Sequence, residues 1–146
     1  NYGTTTVASA STLRGTAALK LTGSGDYTID EEITQTVSGG TAKGRVVSWD
    51  ATNGILKYFQ SPDLHTHNGK VLAFDHATNN VTGATSSTAR PIDGNQDTAL
   101  ADISFTDGKA NPEIAPNSGD IVYIENRRQI TRAADQIEDI KLVIEF

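Results

Sequence analysis

Apolar and polar residues alternate in short runs along this chain, in the pattern of half-buried strands. In residues 16–22, Leu19 and Leu21 fall on one side and Lys20 on the other. Residues 27–37 place Tyr27, Ile29, Ile33 and Val37 at mixed spacings, which predicts a strand with a bend. Residues 42–49 carry Val46, Val47 and Trp49, and residues 55–60 form a return strand. Asp50-Ala51-Thr52-Asn53-Gly54 lies between these two runs, and its Asn-Gly supplies positive φ at low cost, so a hairpin is predicted there. Gly23-Ser24-Gly25-Asp26 and Ser38-Gly39-Gly40 are further breaks. Four strands at a spacing of about ten residues suggest a small barrel or sandwich.

Beyond Ser61-Pro62-Asp63 the pattern weakens. Residues 70–74 are a short apolar run. Residues 76–98 are dense in loop signals (Asn79-Asn80, Gly83, Ser86-Ser87, Pro91, Asp93-Gly94-Asn95), with Val81 and Ile92 as the large aliphatic anchors. A loop of that length in a compact domain is expected to be functional or to pack on a partner. Ile103 and Phe105 alternate with Ser104 and Thr106 as a strand, and residues 109–117, with Pro112 and Pro116, read as an extended or turning linker. Ile121, Val122, Tyr123 and Ile124 predict a strand covered on both faces. Ile140, Leu142, Ile144 and Phe146 form the cleanest alternation in the chain, and residues 132–139 suit a turn or two of helix capped by Thr131. The expected fold is mainly β: a small strand-rich barrel or sandwich module plus a C-terminal sheet, with little helix. The expected organisation is a flexible lead-in at 1–15, a small β module at 16–60, and a second β region at 61–146 closed by the C-terminal strand, the last two either separate or one compact domain.

Composition narrows the function classes. The 146 residues carry a formal charge of −6, which speaks against sequence-independent nucleic-acid binding and against an anionic membrane surface. No apolar run approaches the roughly 20 residues of a membrane-spanning helix. Cysteine is absent, so disulfides and thiolate chemistry are excluded. Methionine is absent too, and the chain reads as a processed or truncated piece of a longer protein.

Candidate chemistry is sparse. His65-Thr66-His67 sets two imidazoles on one side of an extended segment, and with His76, Asp63 or Asp75 a metal site can be imagined. No third ligand stands at a diagnostic spacing, so His65, His67 and His76 are weak candidates and no metal or cofactor is expected. Asp93-Gly94-Asn95-Gln96-Asp97 has the oxygens of half a calcium loop, but Thr98 stands where glycine is needed and Ser104 where the bidentate Glu belongs, so a surface turn is expected. Asp30-Glu31-Glu32 reads as a solvated edge, since adjacent acids on a strand face opposite ways. Neither a nucleophile elbow nor a phosphate loop is present, and the chain reads as a non-enzyme.

The connector from Glu125 to Asp139 is the exception. Arg127, Arg128 and Arg132 stand close in sequence to Glu125, Asp135, Glu138 and Asp139. One reading is a set of solvated ion pairs worth little each. The other is an interface in which arginine forks dock carboxylates of a neighbouring subunit, or a lock of the connector on its own domain. Arg127, Arg128, Arg132, Asp135, Gln136, Glu138 and Asp139 are the candidate contact or connector residues.

The closing stretch carries a family likeness. Ser118-Gly119-Asp120, the apolar strand Ile121-Val122-Tyr123-Ile124, Glu125-Asn126-Arg127, Asp135-Gln136-Ile137-Glu138-Asp139-Ile140 and the strand running from Leu142 to Phe146 resemble the C-terminus of the dimer-forming baseplate wedge subunit of T-even-type contractile-tailed bacteriophages. Gln129 stands where that family tends to have Pro, and Ile137 where it tends to have Thr; both would redirect the connector without altering its strands. Upstream, Gly25-Asp26-Tyr27, Asp30-Glu31 and Gly44-Arg45-Val46-Val47-Ser48-Trp49-Asp50 look like a small β module of marine phage virion proteins. The resemblance implies a structural virion protein without catalysis or cofactor, assembled in the host cytoplasm. Its implied partners are other tail and baseplate subunits, with a homo-oligomer in the full protein and neither nucleic acid nor membrane. The alternative is a carbohydrate- or receptor-binding β module of a tail fibre, which exposed aromatic residues on one loop face would favour.

Overall fold

The computed structural model describes residues 14–112. The strands are β1 (Ala17–Lys20), β2 (Glu32–Val37), β3 (Gly40–Asp50), β4 (Ile55–Phe59), β5 (Thr66–His67), β6 (Lys70–Val71), β7 (Val81–Gly83), β8 (Ala89–Arg90), β9 (Ala99–Leu100), β10 (Ile103–Ser104) and β11 (Lys109–Ala110). Seven of them form one antiparallel sheet in the order β11-β1-β4-β3-β2-β7-β8; β5–β6 and β9–β10 are separate two-stranded ribbons. The expectation of a mainly β fold holds, and the described residues contain no helix. The C-terminal strands, the Thr131-capped turn and the lead-in lie outside the described residues, apart from Arg14 and Gly15.

The four strands expected between residues 16 and 60 are β1 to β4. Their register follows from alternation: Ala17 pairs with Tyr58, Leu19 with Leu56, Ile33 with Gly44 and Trp49 with Leu56. A bulge between Val46 and Ser48 turns Val47 outward, where it is exposed. Gly54 closes the β3–β4 hairpin at φ 64°, and a side chain there would collide with the Leu21 carbonyl. Asp50 secures the same turn by accepting from the backbone N–H groups of Thr52 and Asn53. The bend expected in residues 27–37 falls at Asp30, whose φ is 68°.

Both faces of the sheet carry apolar packing. On one, Leu19, Leu21, Ile33, Ala42, Val46, Leu56, Tyr58 and Val81 pack with Tyr27, Phe74 and Ile92. On the other, Ala18, Ile55 and Ala110 are covered by Ile103 and Phe105 from the β9–β10 ribbon. β1 is therefore buried on both sides, not half-buried as its alternation suggested; Ala18 and Leu19 both have no exposure.

Residues 76–98 differ from the expected loop. They contain the β7–β8 hairpin, which extends the sheet beyond β2 through Ile33↔Gly83 and Thr34↔Thr82. The expected linker after residue 109 also begins as a strand, with Lys109 and Ala110 paired to Leu19 and Ala18. These strands are two or three residues long, too short to show any periodicity. The anchors named from sequence are placed as expected, with Val81 at 0% and Ile92 at 6% exposure.

Phe74 joins residues 61–75 to the sheet: it is 2% exposed and meets Tyr58 edge-on at 4.9 Å. Phe74→Ala is expected to destabilise the protein by about 3–5 kcal/mol, read as a lower urea midpoint at unchanged slope. A loss below ~1 kcal/mol would mean that this contact is not part of the core.

Candidate interaction surface

Three polar assemblies hold the irregular segments against the sheet and so shape the surface. The first is built on Glu31, which is 4% exposed. Its carboxylate accepts from Thr28 N–H (2.7 Å), Thr85 N–H (2.8 Å), Ser86 N–H (2.8 Å) and the Ser86 hydroxyl (2.8 Å). Burial alone pushes its pKa up. The bonds from Ser86, Thr28 and Thr85 outweigh that and hold it below the ordinary carboxylate range. The solvated edge expected for Asp30-Glu31-Glu32 is thus corrected at its middle residue, because the Asp30 bend turns Glu31 inward. Gly83 leaves room for the carboxylate: a Cβ there would stand 2.6 Å from its oxygens.

The second assembly is built on Gln35, also buried. Its amide nitrogen donates to the carbonyls of Asp75 (2.7 Å) and Asn79 (2.5 Å), and its oxygen accepts from Asp75 N–H (2.8 Å). In the third, the Arg90 guanidinium lies 4.7 Å from the Trp49 ring centre and Tyr27 meets the same ring edge-on at 5.2 Å. The indole N–H donates to Asp26, and the Tyr27 hydroxyl donates to the Val81 carbonyl at 2.7 Å. Burial raises the Tyr27 pKa to about 12. Arg90 is 7% exposed and its Nε has no hydrogen-bond partner among the described residues; the aromatic face supplies its favourable electrostatic contact. Neither Gln35 nor Arg90 was singled out in the sequence, since a Gln on a strand and an Arg before a Pro carry no local signal of burial.

The histidines do not converge on a common centre. His65 is 1% exposed, packs edge-on to Phe59 at 5.4 Å and accepts the Ser61 N–H at Nδ1 (2.8 Å). Burial lowers its pKa, with Glu32 opposing and Arg45 and Lys43 adding to the shift. His67 lies beside Gly40, and His76 beside Gly94 with its Nδ1 3.6 Å from Asp75. Among the described residues no three His, Cys, Asp or Glu side chains group as metal ligands. Asp93 and Asp97 serve turns instead: Asp93 accepts from Asn95 N–H and Asp97 from Asp107 N–H.

On the sheet face that packs the β9–β10 ribbon, the part that the ribbon leaves uncovered is polar. It presents Thr34, Lys43, Arg45 and Thr82, and beside it lies an open groove of about 500 Å³ lined by Thr34, Thr36, Asn79, Asn80 and Thr82. Its hydroxyls and amides offer hydrogen bonds without an aromatic platform. Trp49 is in β3 and Tyr58 and Phe59 are in β4; of the described aromatic residues, Phe59 stands exposed, at 38%. The cluster of exposed rings that would favour the sugar-binding alternative is not found among the described residues. Arg127, Arg128, Arg132, Asp135, Gln136, Glu138 and Asp139 lie outside the described residues.

The described residues form a β platform whose loops are bound down by buried polar side chains. Residues 70–146, just over half of the chain, match the family described as bacteriophage T4 Gp8, and the chain belongs to that family of tail baseplate wedge subunits. No curated protein and no solved structure gives a significant match. The match contains all of residues 118–146, where the resemblance was read. The family is a structural one, so the chain is a virion tail component that works among other baseplate subunits.

Acid should weaken this protein in two steps. The folded-state pKa of His65 lies below its ordinary value near 6.5, so its stabilising contribution is complete above that pH and declines as pH falls below it. Glu31 is depressed in the same sense, and its contribution is lost as pH falls through and below the ordinary carboxylate range. Urea midpoints across pH 7 to 3 (roughly the span of the two groups) are expected to fall in both windows. His65→Asn should flatten the upper window and Glu31→Gln the lower, the latter costing about 1–3 kcal/mol at neutral pH. A pH profile unchanged in both variants would remove these groups as its cause.

Proposed function

We propose that the chain is a subunit, or the C-terminal part of one, that builds the baseplate wedge through subunit–subunit contacts made by the connector from Glu125 to Asp139. The supporting observation is that the family match runs through the whole connector, the part of the sequence where three arginines stand close to four carboxylates. Arginine suits this role because its planar fork meets a carboxylate through two parallel hydrogen bonds. In this reading Arg127, Arg128 and Arg132 dock on Asp135, Glu138 and Asp139 of a second subunit, with Gln136 bridging, and the full protein is a homo-oligomer. The net charge of −6 supports protein partners rather than nucleic acid or an anionic membrane. Assembly in the host cytoplasm and the absence of catalysis belong to the same reading. So does the organisation into a lead-in at 1–15, a β module at 16–60 and a β region at 61–146, the last two as one compact domain, which the shared seven-stranded sheet supports.

Charge reversal tests it. Arg127→Glu with Arg128→Glu is expected to weaken self-association of the full protein by at least ~30-fold, since breaking desolvated charge pairs costs about 2–5 kcal/mol. Adding Asp135→Arg and Glu138→Arg should restore much of it. Self-association of the double reversal within ~5-fold of wild type would show that these are solvated surface pairs and would end the interface reading.

A further inference from the structure

Beyond the connector, one feature of the described fold is filled by none of the described residues. A cleft of about 250 Å³ opens where the described chain leaves the sheet, lined by Ala17 of β1, Tyr58 and Phe59 of β4, Gln60, Ala73 and Pro112. A second depression of about 310 Å³ shares Ala73 and adds Val37 and Leu72. The first cleft is largely apolar, with Gln60 and Asn111 as its polar lining, while Ser38, Asp75 and Lys109 also line the second; Phe59 and Ala73 are exposed. The exit of the chain is pinned at this lip: the Arg14 guanidinium donates to the carbonyls of Thr16 and Asn111, both at 2.8 Å.

We propose that this cleft seats the chain's own residues 140–146, with Ile144 or Phe146 against Phe59 and Ala73. One feature of the sequence and two physical arguments choose this occupant. Ile140, Leu142, Ile144 and Phe146 recur at every second residue, the pattern of a strand that needs one apolar surface to cover it. Residues 113–139 are long enough for the segment to return to the lip, since extended chain spans about 3.3 Å per residue. A tethered segment also competes at an effective concentration of roughly millimolar, above that of a second copy at ordinary protein concentrations. Reach and cover are both supplied by the same polypeptide, without a partner.

The absence of native cysteine makes the test direct. In the full chain, Ala73→Cys is combined with Ile144→Cys, and separately with Val143→Cys on the opposite face of the segment. Mild oxidation at low protein concentration is expected to give an intramolecular disulfide in the 73/144 pair, at least ~10-fold faster than in the 73/143 pair. A disulfide found only between two chains would assign the cleft to a second copy and overturn the proposal. Equal rates for the two pairs would overturn it as well. As a second readout, deletion of residues 140–146 should raise amide hydrogen exchange around Phe59 and Ala73 while leaving β2 and β3 protected. Unchanged exchange at Phe59 and Ala73 would likewise count against the seat.

Discussion

The described fold depends on how one buried carboxylate is satisfied. Glu31 is out of water, and a carboxylate placed there without partners would cost several kcal/mol. Four donors within hydrogen-bonding distance remove that cost, and three of them, from Thr85 and Ser86, come from the turn between β7 and β8. The charge can therefore be buried only if that hairpin is in place, and the hairpin is held in place by the charge. Gln35 repeats the arrangement further along β2, tying Asp75 and Asn79 to the strand. Between them the two side chains convert a polar stretch of more than twenty residues into part of the sheet.

This has a consequence for how the chain is organised. The family match begins at residue 70, whereas the sheet interleaves strands from both sides of that point: β11 lies beside β1, and β7 beside β2. Residues inside and outside the matched region therefore share one hydrogen-bonded sheet. The arrangement fixes irregular loops to a rigid element. Here the fixing is done by buried polar bonds rather than by a large apolar core, in keeping with a hydrophobic content of 36%.

The central strands were legible because runs of four or more residues with apolar and β-branched content between clear turn signals are a strong local signal, and β1 to β4 all lie in such runs. The breaks were legible for a different reason: Gly54 and the Asp50 turn belong to a short hairpin whose chemistry is local. Val81 and Ile92 were recognisable as anchors, but β7 and β8 were not recognisable as strands, since two or three residues carry no period. Glu31 was misread because its neighbours Asp30 and Glu32 do face outward; only the left-handed turn at Asp30 reverses the direction of the next side chain. His65 looked like a candidate ligand because sequence shows a side chain's chemistry and not its partners, and its Nδ1 is occupied by Ser61.

By itself, the sequence determined that the protein is built from β-strands, where its central hairpin turns, and which family its C-terminal half belongs to. Those properties rest on local periodicity, turn chemistry and a family likeness that spans residues 70–146, all of which are written along the chain. Only the tertiary structure decided that Glu31, Gln35 and Arg90 are interior groups, that the polar middle of the chain adds two strands to the sheet, and that an apolar cleft stands open at its exit. Each of these depends on contacts between residues some forty or more positions apart, and a polar side chain is stable inside only when such distant partners satisfy it.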